Sequence, residues 1–453
     1  MPKVNAVPEH DTRPLSSLTA LMGEESISTD PTVCASFAVD GLLPQCVVYP
    51  RSAEDVAAIL AKSRKEGLAV IPCSNATKLH IGNIPRRYDL AMCLKGMNRV
   101  PHYEPADLTA SVEPGMEFGR FQELLGRDGL WLPLDPAGGD RGSLGGIVAT
   151  NATGPLRLKY GAPRDMVVGL KIATTEGRIV KTGGRVVKNV AGYDLAKLIT
   201  GSFGTLGAIV EISFKLFSLP ARRVTWAVRI QSVDAARELR RRVLNSPLFP
   251  MRMVLLDGLA MSCVNGPAAN KIPREALEVW IEFGGTERVI QRCGKSLEEL
   301  TKRMGSTSRL LDNSFTEAAW NRVCNFSAVA ASFFGGGVSL KAVLPVAASE
   351  GFLMRIYEEA EKRGVSAACI CHNGVIHGCL ARANGEAAAL VALLREIGTG
   401  EGGTVIVELG SPDLKRQVDV WGLPGDDFDV MRKLKEVWDP GATLSPGRFL
   451  GGL

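Results

Sequence analysis

Two histidines five residues apart, His372 and His377, flank a short bend in AACICHNGVIHGCLA (367–381). Imidazoles so placed can ligate a metal or take a proton, or they can be two polar residues of a β-hairpin. Lys188, Arg382 and Arg448 are cations that could hold a carboxylate. Gly201, Gly204 and Gly207 recur every third residue, which lets backbone approach a ligand or take positive φ. The bland alternative is a tight connection that binds nothing. The loop CSNATKLHIGN (73–83) has small and hydroxyl side chains with Lys78 and His80 near. Its backbone N–H groups could cradle an anion, or it could be a solvated turn. Residues 132–161 are rich in Gly, Pro, Thr and Asn, with the pairs Gly138–Gly139 and Gly145–Gly146, and with Asn151, Thr153 and Gly154. Such a stretch is too long for an ordinary connection, and long ordered loops are usually functional. It has neither a GxxxxGK[ST] run nor a strand–GxGxxG–helix, which excludes a P-loop and a Rossmann nucleotide site.

The flanking elements place these loops. Tyr193–Ile199 reads as a short amphipathic helix, and Val210, Ile212, Phe214 and Leu216 alternate with polar residues as in a half-buried strand. CVVYP and LAVIP read as strands on either side of a helix capped by Ser52 and stopped by Gly67, a β-α-β opening. Strands are also expected at 89–94 and 107–115, a helix with Phe118, Phe121, Leu124 and Leu125 on one face, and a hairpin at 167–184. From 221 to 417 two rounds of strand and helix predict an α+β unit on antiparallel sheet. A final helix would turn Val430, Leu434 and Val437 inward.

Composition narrows the class. The 453 residues allow two or three domains, and 45% hydrophobic with 22% charged is ordinary globular usage. A net charge of +5 without a basic run argues against nucleic acid. No signal peptide or transmembrane segment is expected. The ten cysteines hold no CxxC pair, which fits reduced thiols in a cytoplasm and no metal site.

Three pieces together resemble the FAD-binding domain of the vanillyl-alcohol oxidase / p-cresol methylhydroxylase (PCMH) superfamily: the strand and loop at 68–83, GSLGGIVATNATGP (142–155), and AGYDLAKLITGSFGTLGAIVE (191–211). KNVAGYDL (188–195) and DPGATLSPGRFLGG (439–452) look like the smaller FAD-binding subunit of bacterial glycolate oxidase. The resemblance implies an α+β chain: a two-subdomain PCMH-type FAD-binding domain (44–220), an α+β cap domain with antiparallel sheet (221–417), and a C-terminal segment (418–453) returning to the FAD domain. Residues 1–43 would be a leader. It implies that Cys73, Ser74, Asn75, Ala76, Thr77 and Lys78 hold the pyrophosphate. Pro133, Leu134, Asp135, Ser143, Gly145 and Gly146 would line the diphosphate and ribityl chain. Asn151, Ala152 and Gly154 would lie along the flavin, Gly201, Ser202, Gly204, Thr205 and Gly207 would complete the nest, and the backbone of Ile209 would meet the nucleotide.

The sequence departs from the family at four places. The usual glycine run of the first loop is Cys73-Ser74-Asn75-Ala76, and Val187 stands where relatives often carry arginine. The HxGDGNxH metal motif is two residues short at 372–377, and Glu408 is followed by Leu409 rather than histidine. The implied activity is oxidation of a small 2-hydroxy acid, with His372, His377 and Lys188 as candidate catalytic residues. The implied partners are a larger FAD-binding subunit and an iron–sulfur subunit, in the cytoplasm or peripheral at the inner membrane through them. A stand-alone FAD dehydrogenase and a non-catalytic scaffold are the alternatives.

Overall fold

The computed structural model describes residues 13–184, 194–266, 272–381, 383 and 385–453. Its first sheet has the spatial order Ile27–Ser28, Cys46–Val48, Leu90–Cys93, Val70–Cys73. The last three strands are parallel, and the crossover between Val48 and Val70 is the helix Ala53–Glu66. Ser52 accepts the N–H of Asp55 while Asp55 accepts that of Ser52, and Gly67 ends the helix in the left-handed region, φ 68°. That helix buries Val56, Ile59 and Leu60. Residues 13–43, expected as a leader, instead supply the helices Arg13–Met22 and Pro31–Ser36 and an edge strand paired with Val47 and Val48. Cys34, Phe37 and Val39 there are buried; their short, irregular elements give no periodic signal.

A second, antiparallel sheet runs His102–Glu104, Thr109–Val112, Ala208–Lys215, Val167–Ala173, Ile179–Gly183. The alternation read in residues 210–216 is the observed one: Ile212 and Phe214 are buried between partly exposed Glu211 and Ser213. Residues 132–161 are not one loop. They contain the helices Leu144–Ala149 and Arg157–Tyr160, too short to register in a pattern dominated by glycine.

The third sheet has eight strands in the order Thr307–Leu310, Arg222–Ile230, Leu277–Gly285, Arg252–Asp257, Ser366–His372, Val375–Ala381, Val338–Val343, Thr404–Leu409. Every pairing in it is antiparallel. One face packs on Leu239, Leu297, Phe352 and Leu394, from four long helices. The other packs on Gly258–Asn265, Asn313–Cys324 and Phe326–Phe333, helices absent from the sequence reading. The expected α+β class with antiparallel sheet is thus the observed one.

The C-terminal segment returns to the first sheet. Val70 donates its N–H to the carbonyl of Thr443 at 2.7 Å, and Ser445 donates to the carbonyl of Val70 at 2.9 Å. The preceding helix, Phe428–Trp438, sits opposite to expectation, with Val430 60% and Val437 74% exposed and Lys435 buried. Lys435 donates to Asp439 at 2.6 Å and to the carbonyls of Thr205 and Leu444, each at 2.8 Å. Three acceptors fix the amine inside, so the helix buries its stem rather than the apolar stripe. No helix among the described residues is long and apolar enough to cross a membrane.

Candidate active site

A cleft of about 890 Å³ opens where the first sheet meets the second. The loop leaving Val70–Cys73 forms one wall. The helix Leu144–Ala149, capped by the Ser143 hydroxyl on the N–H of Gly146, forms another. The turn before Ala208–Lys215 and the returning residues Ser445 and Arg448 close it. Of the residues expected at a cofactor, Cys73, Ser74, Asn75, Ala76, Thr77, Lys78, Ser143, Gly145, Gly146, Ser202, Gly204, Gly207 and Ile209 line this cleft. Thr150, Phe203 and Ser445 line it as well, and sequence reasoning missed them. Ala76 (φ 55°), Phe203 (φ 54°) and Ser445 (φ 46°) all hold left-handed backbone, strain that clusters at ligand sites.

The other expected cofactor residues stand behind the cleft. Thr205 donates its hydroxyl to the carbonyl of Ser202 at 2.7 Å and is buried. Gly201 donates its N–H to Val148 and Ala152 donates to Ile147, while the Asn151 side chain accepts from Arg164 N–H at 3.2 Å. Pro133 and Leu134 are buried, Leu134 in the core of the second sheet. A Cβ on Gly154 would stand 2.4 Å from the carbonyl of Asp135; Gly154 is there for packing. Asp135 accepts the N–H of Leu156 at 2.9 Å and faces the Arg252 guanidinium at 3.6 Å. Asp135 is not among the residues lining the cleft; it ties this segment to the eight-stranded sheet.

One wall of the cleft suits an anionic ligand group. Two of its side chains keep buried polar atoms without partners, Asn75 Oδ1 and Arg448 Nη1. Asn75 is fixed by Nδ2, which donates to Glu117 at 2.9 Å and to the carbonyl of Arg141 at 2.8 Å. Among the described residues, none accepts from the backbone N–H of Asn75, Ala76, Thr77 or Lys78. Such a run, turned by a left-handed residue, is an anion nest. An unmatched acceptor, an unmatched cation and a free amide run fit the ribityl and diphosphate groups of FAD. Burial, then Cys93, pushes the Cys73 thiol well up, which keeps it protonated and poorly reactive.

The eight-stranded sheet brings a second group to this place. His377 lies opposite Lys341 and Ile370, so its side chain shares a face with theirs and with His372, two residues beyond Ile370. A register shift between Ser339 and Leu340 leaves Glu408 unpaired in a bulge, a device that re-aims a side chain. His377 Nδ1 and Glu408 Oε2 are 3.0 Å apart, and Ser327 donates to the same oxygen at 2.7 Å. Burial would raise the Glu408 carboxyl, but His377, Lys341 and Ser327 together hold it well below the usual range. The rings of His372 and His377 stack at 5.6 Å and 18°. Burial, then His377, Lys341 and Arg157, drives His372 well below the usual imidazole range.

The charge of Glu408 reaches Lys78 and His80 of the first loop. Burial nevertheless takes Lys78 down to about 8. Lys188 and Arg382 lie outside the described residues. Among the described residues no three His, Cys, Asp or Glu gather as a metal site.

Comparisons with known proteins bear on both groups. A family described as "FAD binding domain" matches residues 44–183. A second, "FAD linked oxidases, C-terminal domain", matches residues 219–449. The chain is 27% identical over 418 residues to glycolate oxidase subunit GlcD of Bacillus subtilis (strain 168), which spans 90% of this chain and 89% of that one. It is 27% identical over 420 residues to D-lactate dehydrogenase [cytochrome], mitochondrial, of Arabidopsis thaliana, spanning 90% and 74%. The solved structure of p-cresol methylhydroxylase with substrate bound superposes with a TM-score of 0.76 at 18% identity, over 98% of this chain and 97% of that one.

Proposed function

The chain belongs to the FAD linked oxidases, with FAD as its cofactor, and from that premise we propose that it dehydrogenates a small 2-hydroxy acid as the FAD-binding subunit of a glycolate-oxidase-like complex. The observation that carries this reading is the His377–Glu408 pair, whose carboxylate acts electrostatically on the cleft residue Lys78. A glycolate oxidase subunit and a D-lactate dehydrogenase among the relatives support the substrate class.

Bound FAD supplies the two-electron acceptor for such a reaction. Glu408 Oε2 accepts Nδ1–H of His377 and leaves Nε2 as the basic nitrogen, the atom that takes the hydroxyl proton of the acid. Ser327 holds the carboxylate in that rotamer. His372, buried against His377, stays neutral and adds no charge repulsion when His377 gains its proton. Lys341, in register with His377, offers positive charge to the substrate's carboxylate. The sequence has no CxxC pair, so any iron–sulfur path for the onward electrons lies on a partner, in a complex that also holds a larger FAD-binding subunit. Anaerobic addition of glycolate or D-lactate to the purified flavoprotein is expected to bleach its visible flavin band. A band that neither acid bleaches, with the flavin still reducible by dithionite, would rule out this substrate class.

A further inference from the structure

Arg448 carries a charge that no carboxylate among the described residues pairs with. It is 5% exposed. Its Nη2 donates to the carbonyl of Leu79 at 2.8 Å and to that of Ile81, and its Nη1 has no partner. Among the described residues no carboxylate pairs with it. The acid whose field it feels is Asp40, and Asp40 is taken: both its oxygens hold Lys415 at 2.9 Å. Lys415, with its side chain 1% exposed, also donates to the carbonyl of His80 at 2.6 Å. Lys78 lines the same cleft and bonds the carbonyl of Ala137. Glu408 is engaged by His377, Ser327 and Lys341. Among the described residues, Lys78, Lys415 and Arg448 are three cations at or beside the cleft loop, and Asp40, held by Lys415, is the carboxylate that forms an ion pair with any of them. Burial pulls the Arg448 guanidinium down to about 10, the mark of a cation short of a counter-charge.

A desolvated guanidinium with an idle donor destabilises the fold unless an anion arrives. We infer that Arg448, backed by Lys415 and Lys78, is a counter-ion site for an oxyanion carried by the ligand of the cleft. The N–H run at 75–78, for which no described residue supplies an acceptor, suits the same kind of group. Two sources bring an oxyanion there, the diphosphate of the cofactor and the carboxylate of an acid substrate. The inference rests on the cleft being the cofactor site and does not depend on which acid is oxidised.

The test compares wild type, Arg448→Lys and Arg448→Gln, with Arg448→Met as a second neutral variant should the Gln protein not fold by far-UV circular dichroism. Flavin fluorescence gives the Kd of FAD for the apo-protein at low and high sodium chloride. Perturbation of the flavin band gives the Kd of glycolate for the holo-protein. The neutral variant is expected to bind FAD more than about tenfold more weakly and with a flatter salt dependence, the lysine variant within about threefold of wild type. If FAD affinity holds while glycolate weakens about tenfold, the site stands and the oxyanion is the carboxylate. The inference is overturned if the neutral variant changes neither constant, or if lysine loses as much as glutamine. Wild type that binds FAD yet is not bleached by 2-hydroxy acids would sink the substrate reading and leave this one untouched.

Discussion

One oxygen of Glu408 takes the hydrogen bonds of both His377 and Ser327, which in the proposed reaction makes it the group that orients the base. His377→Gln should lower kcat by about a hundredfold or more, the range for a lost general base, with flavin content unchanged. Glu408→Gln should lower kcat less and leave the FAD Kd alone; parallel loss of flavin in either variant would reassign the pair to structure. The histidines were readable as a pair flanking a bend. Glu408 was legible as the acid of a Glu-His pair lacking its histidine, but its pairing with His377 was not, because the partner sits on another strand 31 residues away and a bulge aims it. Arg448 could be named as a cation, but its company could not, since Asp40 and Lys415 come from the far ends of the chain.

At the scale of elements, the cleft depends on a turn that only glycine forms cheaply. Gly204 has φ 68°, and a Cβ there would lie 3.7 Å from Pro72 and 3.8 Å from Ser445 Oγ, both cleft residues. Gly204→Val would therefore strain the backbone by roughly 1–3 kcal/mol and push a branched side chain toward the ligand. The expected result is a protein with near-native far-UV circular dichroism that no longer retains FAD; full retention would refute the placement of the turn at the cofactor. Strands were the most legible elements because strict alternation survives in a half-buried sheet. Helices of four to six residues between glycines left no period to read, which is how Leu144–Ala149 was taken for loop. The helix Phe428–Trp438 misled for a different reason: its apolar stripe is real, but three oxygens waiting for Lys435 decided which side went in.

At the scale of the whole molecule, the flavin-side sheets and the eight-stranded sheet are joined by polar ties. Arg252 pairs with Glu282 at 2.7 Å, lies over the Trp320 ring at 4.3 Å and reaches Asp135 at 3.6 Å. Gly138 donates its N–H to Asn325 at 2.7 Å. Burial, opposed by Arg252, raises the Asp135 carboxyl from 3.8 to about 6. A raised carboxyl gives stability that is complete below its unfolded value and is lost as pH climbs through the folded one. Relative to Asp135→Asn, the wild type should therefore lose stability between about pH 4 and 6, by on the order of 1 kcal/mol per pH unit. Urea unfolding of both proteins across that range checks it, and parallel profiles would show that Asp135 stays ionised. None of these ties was visible in the sequence, where acids and bases far apart in order carry no sign of meeting.

The strand-like return of Thr443–Ser445 beside Val70 has a consequence for how the protein is made. The cleft draws its walls from residues 71 to 448, so neither sheet of the flavin side can finish it alone. During synthesis the early sheet can form as soon as its strands emerge, because domains fold in order of appearance. The ligand site still lacks a wall until the ribosome has passed Arg448. Completion of the cofactor site is then a late event of biogenesis, and a nascent chain stalled inside the eight-stranded sheet would lack the wall that Ser445 and Arg448 supply.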